Sequence, residues 1–222
     1  MRTRPCLMPL GFVLAALSGA EILSATNITV TGNFTADNSV YMTTLSLATM
    51  EQVTAFTTSY AGGTNLDTTT TPAGGFVPEI TIFSGTSGNV VASSPNGACG
   101  GMGAADPATG LCNDAFLRAT LGPGSYSLFL TEFPNTVDPG NTSTPTFLFS
   151  GSATATGDAC GITGGMFYEA DLAPCVQRTS AYALNISTAA AGSVVPEPAM
   201  VWIAGLALVI AGIRRRRKTG RS

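Results

Sequence analysis

Residues 115–131 read AFLRATL-GPG-SYSLFLT, and this stretch decides the fold class. Tyr126, Leu128 and Leu130 recur at every second position, with Ser125, Ser127 and Thr131 among the positions between, the period-2 pattern of a strand. Ala115–Leu121 carries apolar residues at a similar spacing. Gly122-Pro123-Gly124 between them predicts a tight hairpin connection. The same pattern recurs along the chain. Short runs rich in β-branched and aromatic residues are predicted as strands at Asn27–Thr35, Val40–Leu47, Gln52–Ser59, Glu79–Ser84, Val90–Ser93, Thr146–Phe149 and Ser180–Ile186. Ile80 and Ile82 are expected to face the core. Gly85-Thr86-Ser87-Gly88-Asn89 predicts a second hairpin, and Gly62-Gly63 through Gly74-Gly75 brackets a Thr-rich loop. Many short strands punctuated by turn clusters predict an all-β sandwich.

Charge narrows the function classes. The 222-residue chain is only 10% charged, well below the ~25% of an average soluble protein. Between residues 26 and 195 the only cations are Arg118 and Arg178, against eleven acids, a net of −9. Such a domain repels a phosphate polyanion, so nucleic acid is not an expected partner. The chain has no histidine, which removes the usual neutral-pH general base and the commonest transition-metal ligand.

Both ends read as addresses. Residues 1–20, MRTRPCLMPLGFVLAALSGA, place Arg2 and Arg4 before a short apolar run, Leu7 to Leu17, and then Ser18-Gly19-Ala20. That is the layout of a signal peptide cut by signal peptidase. Cys6 precedes the apolar run, where no lipoprotein cysteine sits. At the other end, Met200 to Ile213 is apolar, short for a full span, and Arg214, Arg215, Arg216, Arg217 and Lys218 follow at once. A basic cluster of this kind is expected to stay in the cytoplasm, with the domain before it outside.

Val195-Pro196-Glu197-Pro198, the apolar segment and the Arg cluster together resemble the PEP-CTERM sorting signal of Gram-negative bacteria. The resemblance implies recognition by an exosortase, cleavage near the motif and delivery to the cell surface or extracellular matrix, after transient anchoring in the inner membrane. Paired prolines also hold the segment extended, which suits a protease groove. The expected organisation is a signal peptide at 1–20, a β-sandwich at 21–188, a linker at 189–195, the sorting signal with its transmembrane helix at 196–218, and a tail end at 219–222.

Three central segments carry a second resemblance: TSYAGGTN at 58–65, GGFVPEITIF at 74–83 and DPATGLCNDAFLRATLGPGSYSLFLTEFPN at 106–135. With the strand Ser180–Ile186 they are similar to a PEP-CTERM-associated family related to the bacterial pre-peptidase C-terminal domain. The resemblance implies a jelly-roll-like β-sandwich acting as an accessory, non-catalytic module. An Asp frequent in the family is Glu79 here, and its acidic pair is replaced by Ser94-Pro95-Asn96-Gly97-Ala98.

Four cysteines remain beyond the signal peptide: Cys99, Cys112, Cys160 and Cys175. An even count in an exported chain predicts two disulfides, with three possible connectivities. Cys99–Cys112 and Cys160–Cys175 are favoured, since each closes a loop of about 14 to 16 residues, contributing ~3 kcal/mol in the chain-entropy account. Zinc is disfavoured: there is no C-x-x-C and no histidine.

No catalytic set emerges. There is no G-x-S-x-G elbow, no phosphate-binding G-x-x-x-x-G-K and no base for a thiol. A glycosidase needs two carboxylates; Glu79, Asp106, Asp114, Glu132 and Glu169 are available, but their spacing singles out no pair. The chain is therefore expected to be no enzyme and to need no cofactor, with a loop calcium site at Asp106 or Asp114 as a weaker alternative. Tyr60, Phe76, Phe133 and Tyr168 lie beside loops, where they either stack on sugars or plug the sandwich edges. Two functions follow: a structural or adhesive protein of the exopolysaccharide layer, or a carbohydrate-binding module.

Overall fold

The structure, a computed structural model, describes residues 26–191 apart from 87, 95–103, 139–144, 150–155, 157–159, 163–165, 170–171 and 173. The expected signal peptide, Cys99, the sorting motif Pro196-Glu197-Pro198, the apolar tail segment and the cluster Arg214 to Lys218 lie outside the described residues.

Alternating burial builds the sandwich. In β2 (Tyr41–Leu47) the side chains of Leu45 and Leu47 are buried while Thr44 and Ser46 are exposed. In β8 (Phe116–Leu121) Leu117 and Leu121 are buried while Arg118 and Thr120 are exposed. Eight longer strands form two four-stranded antiparallel sheets. The first has the order β1 (Thr26–Asn33), β12 (Ala181–Ala190), β3 (Glu51–Thr57), β8. The second has the order β2, β9 (Gly124–Glu132), β6 (Pro78–Ser84), β7 (Val90–Ser94). Two-residue strands β4 (Gly63–Thr64) with β5 (Thr70–Thr71), and β10 (Tyr168–Glu169) with β11 (Val176–Gln177), make small ribbons.

One core lies between the sheets. Val53, Ala55, Leu117, Leu121, Leu184 and Ile186 from the first meet Leu45, Leu47, Ile80, Ile82, Leu128 and Leu130 from the second. Tyr126 packs against this cluster as well, so the expected inward set is the observed one. The pairing is nested: β1 with β12, β2 with β9, β3 with β8 and β6 with β7.

This nesting corrects one expectation. Gly122-Pro123-Gly124 does not close a hairpin, because β8 pairs with β3 while β9 pairs with β2 and β6. The turn carries the chain from one sheet to the other. Stacked sheets are ~10 Å apart, a gap that three residues of extended chain can bridge. The Ser84–Val90 connection, by contrast, does join neighbouring antiparallel strands.

Two further expectations shift. Thr146–Phe149 is not a strand; Phe147 makes a single bridge with Val137. It lies on the outer face of the second sheet and clusters with Phe83 and Phe129, which explains why that face of β9 is buried. And β12 extends to Ala190, two residues into the expected linker.

The register places both ends of the domain together. Thr26 lies opposite Thr188 and Ala190 opposite Glu51. The short connections Ala48–Met50, Gly122–Pro123 and Gly85–Asn89 share that end. The long connections that follow Asn33, Thr57, Ser94 and Glu132 leave from the other, where Phe34 stacks on Phe76 at 4.9 Å. Disulfide Cys160–Cys175 staples the last of these, as expected. Cys112 is also disulfide-bonded; its expected partner Cys99 is outside the described residues.

Leu128 is fully buried between the sheets, whereas Ser46 is exposed. Leu128→Ala should lower unfolding stability by roughly 2–5 kcal/mol and Ser46→Ala by less than about 0.5 kcal/mol, as read by urea denaturation.

Candidate functional site

The loop end is where the candidate residues converge, around one guanidinium. Arg178, just before β12, is buried, with 7% exposure. Its Nη1 donates to Asp106 Oδ2 at 3.0 Å, its Nη2 to the Tyr60 carbonyl at 3.2 Å and its Nε to the Gly75 carbonyl at 3.1 Å. Glu169 Oε2 lies 3.7 Å from the same Nε. The guanidinium carbon sits 3.8 Å from the Tyr60 ring centroid, a cation–π contact removed from water.

The acids around it are tied to protein donors. Asp106 Oδ2 also accepts from the Thr109 backbone N–H and hydroxyl. Burial opposes the charge of Asp106, but the bonds from Thr109 and Arg178 outweigh it and lower its pKa. Glu169 Oε1 accepts from the Tyr60 hydroxyl at 2.5 Å and Asn113 Nδ2 at 2.8 Å. Burial, then the bond to Glu169, pushes the Tyr60 hydroxyl up to about 12. Asp114 accepts from the Thr57 hydroxyl and the backbone N–H groups of Tyr60 and Ala61. Asp106 and Asp114 thus each tie their loops to the strands through bonds from protein donors.

Two other acids lie apart. Glu132 ends β9 on the inward face, is 1% exposed, and its Oε2 has no hydrogen-bond partner. Burial, and then the charge of Asp37, push its pKa up to about 10. Glu79 lies on the opposite face of the same sheet, opposite Thr131. Burial raises its pKa from 4.5 to about 7. The five acids named from the sequence thus form three separate groups. Among the described residues, no set of three or more His, Cys, Asp or Glu side chains is placed to hold a metal.

Of the two readings of the loop aromatics, the one in which they plug the sandwich edges holds. Tyr60 and Phe76 are fully buried and cannot stack on a sugar. Phe133 packs against Tyr60, Ala61 and Val77, and Tyr168 is half-buried in β10. The loops fold back onto the sandwich, so aromatics beside them plug its end. Asn185, in one of the Asn-x-Ser/Thr triplets of the chain, is likewise buried and bonded to Thr29, Leu66 and Asn65.

Sequence reading missed two features. Arg178 could have been suspected as one of two cations among eleven acids. The other is a recess of about 370 Å³ lined by Asn33, Phe34, Thr35, Ser39, Val40, Tyr41 and Tyr182. Tyr41 and Tyr182 meet there at 5.6 Å, beside polar groups on the β1–β2 loop.

The PEP-CTERM protein-sorting motif matches residues 194–218. This chain carries a PEP-CTERM sorting signal. The signal marks an exported, surface-directed protein that an exosortase processes. No curated protein matches the chain, and no solved structure does.

Arg178→Met should cost about 3–5 kcal/mol, because it leaves Asp106 and Glu169 buried without their cation. Tyr60→Phe should cost roughly 1–3 kcal/mol, the loss of one buried bond to a carboxylate; chemical denaturation reads both. A pH titration tests Glu79. Between 4.5 and about 7 the unfolded chain has released this proton and the folded chain holds it. The Glu79 contribution to stability should therefore fall as pH rises through that window and then level, while Glu132 adds a further fall up to about 10. Glu79→Gln should flatten this part of the curve; an unchanged slope would mean that Glu79 keeps an ordinary pKa.

Proposed function

We propose that this protein is a non-catalytic surface or extracellular-matrix protein, structural or adhesive in the exopolysaccharide layer. Exosortase cuts it from a transient inner-membrane anchor, after signal peptidase has removed residues 1–20. The sorting signal at 194–218 is the observation that carries the reading. The architecture is compatible with it. The chain leaves the domain from β12 at the end with short connections, so an anchor following Ala191 leaves the loop end facing away from the membrane. The carboxylates Asp106, Asp114 and Glu169 are spent on holding loops rather than left for acid–base work. We read the nested pairing of β1/β12, β2/β9, β3/β8 and β6/β7 as jelly-roll-like.

A second reading, a carbohydrate-binding module, is favoured by the Tyr41–Tyr182 recess. Aromatic rings beside Asn, Thr and Ser oxygens suit a neutral sugar, and a domain of net −9 offers little to an acidic one. This reading puts the binding on the half-buried Tyr41, with the buried Tyr182 behind it.

The first test is the intact mass of the protein from its native host, alkylated without reduction. A mass for residues 21 to about 196 with no alkyl group added is the expected result. A mass retaining the Arg-rich tail would defeat the exosortase reading. Deleting the gene should then alter cell aggregation or biofilm texture. For the second reading, pull-down on the host polysaccharide should weaken at least tenfold in Tyr41→Ala; absence of any binding by the wild type would sink it.

A further inference from the structure

Glu132 is the group that the architecture leaves unexplained. It sits at the inward-facing end of β9, 1% exposed, with Oε2 unbonded. Asn135 joins it to the β1–β2 loop: its backbone N–H donates to the Glu132 carbonyl at 2.7 Å and its Nδ2 to the Asn38 carbonyl at 3.1 Å, which brings the fully buried Asp37 to the end of β9. Asp37 Oδ2 accepts from the backbone N–H and hydroxyl of Thr156, at 2.8 and 2.9 Å, and these hold its carboxylate in place. Two neighbouring carboxylates away from water repel each other and each carries a desolvation cost. Between residues 26 and 195 the only cations are Arg118 and Arg178. Arg178 is bound to Asp106, and Arg118 is exposed over the Phe116 ring. Taking up a proton would cancel the charge of Glu132 and make its carboxyl a donor, but only by holding that proton far above the ordinary carboxylate range. A bound metal ion answers both problems, since it neutralises the pair and coordinates the orphan oxygen.

We propose that Asp37 and Glu132 are the carboxylate ligands of a divalent cation, calcium, at the loop-bearing end of the sandwich. The donor chemistry selects the ion. All candidate donors are oxygens, which suit hard cations, and the donor set includes no imidazole. Calcium accepts six to eight oxygens in irregular geometry, so two carboxylates can be completed by backbone carbonyls and water; magnesium demands a near-ideal octahedron. With only two carboxylates the site belongs to the weak class of extracellular modules, with a dissociation constant of about 10⁻⁴–10⁻³ M. The ion would tie the β1–β2 loop to the end of β9, and through Thr156 to the long excursion between β9 and β12. Asp37 and Glu132 belong to none of the acids engaged by Arg178, and the inference does not depend on the sorting role.

The test is thermal unfolding of the full chain in detergent, in EDTA and then with calcium or magnesium added up to 10 mM. Wild type should gain several degrees with calcium, on the order of 3–8 °C, and less with magnesium. Glu132→Gln, nearly isosteric, should lose the calcium response while unfolding in EDTA at or above the wild-type temperature, because it removes the cost of burying an ionisable carboxyl group. Should that variant fail to fold, Asp37→Asn and direct calorimetric titration of the wild type take its place. No calcium shift and no calorimetric binding in the wild type would overturn the proposal. A calcium shift that persists in Glu132→Gln or Asp37→Asn would place the ion elsewhere and overturn it equally.

Discussion

The buried guanidinium of Arg178 is the constraint on which the loop end depends. Six carboxylates are buried among the described residues, and Arg178 is the buried cation set among them. Its planar fork reaches four chain segments at once: the turn after β3 at Tyr60, the approach to β6 at Gly75, the connection before β8 at Asp106 and the β10 strand at Glu169. Lysine could not do this, since a single ammonium lacks the divergent donors and the flat face that lies on Tyr60. The chain before β12 therefore acts as the clasp of the loop end. The same position starts the central strand of the first sheet, so the polar end and the apolar core are fixed by adjacent residues.

The sandwich itself rests on different physics. Apolar alternation fixes which face of each strand turns inward, and that information is local. It is why most strand bounds read from the sequence lie within a residue or two of the observed ones. Which strands become neighbours is not local. Gly122-Pro123-Gly124 states that the chain turns; it does not state whether the turn stays in one sheet or crosses to the other. The nested pairing is decided by all eight strands sealing one core, and by the need to bury Phe83 and Phe129 on an outer face under Phe147.

The loop end was less legible for the same reason. Arg178 and the Tyr60 carbonyl that it meets are 118 residues apart, and nothing in either segment announces the other. Tyr60 and Phe76, placed beside glycines, look exposed in the sequence, yet the glycine-rich loop folds back and buries them. Gly75 shows how tightly it does so: a Cβ there would lie 2.6 Å from the Ala181 carbonyl oxygen and 2.7 Å from that of Ser59. The sorting signal was legible because it is written in contiguous chain at residues 194–218. Asp37 and Glu132 were visible as acids but not as neighbours, since only the folded sheets bring the β1–β2 loop to the end of β9.

The position of β12 has a mechanical consequence. It is the last strand of the sandwich and also an interior one, paired with β1 over eight residues and with β3 over seven. A pull on the chain beyond Ala191, directed along the strand, cannot peel β12 away one bond at a time. It must slide the strand past both neighbours and strain both ladders together. A protein held by its C-terminal side while its far end grips a polymer gel would bear load in this direction. An edge strand in the same position would unzip under far smaller forces, so the nested strand order gives the domain a shear-resistant mooring.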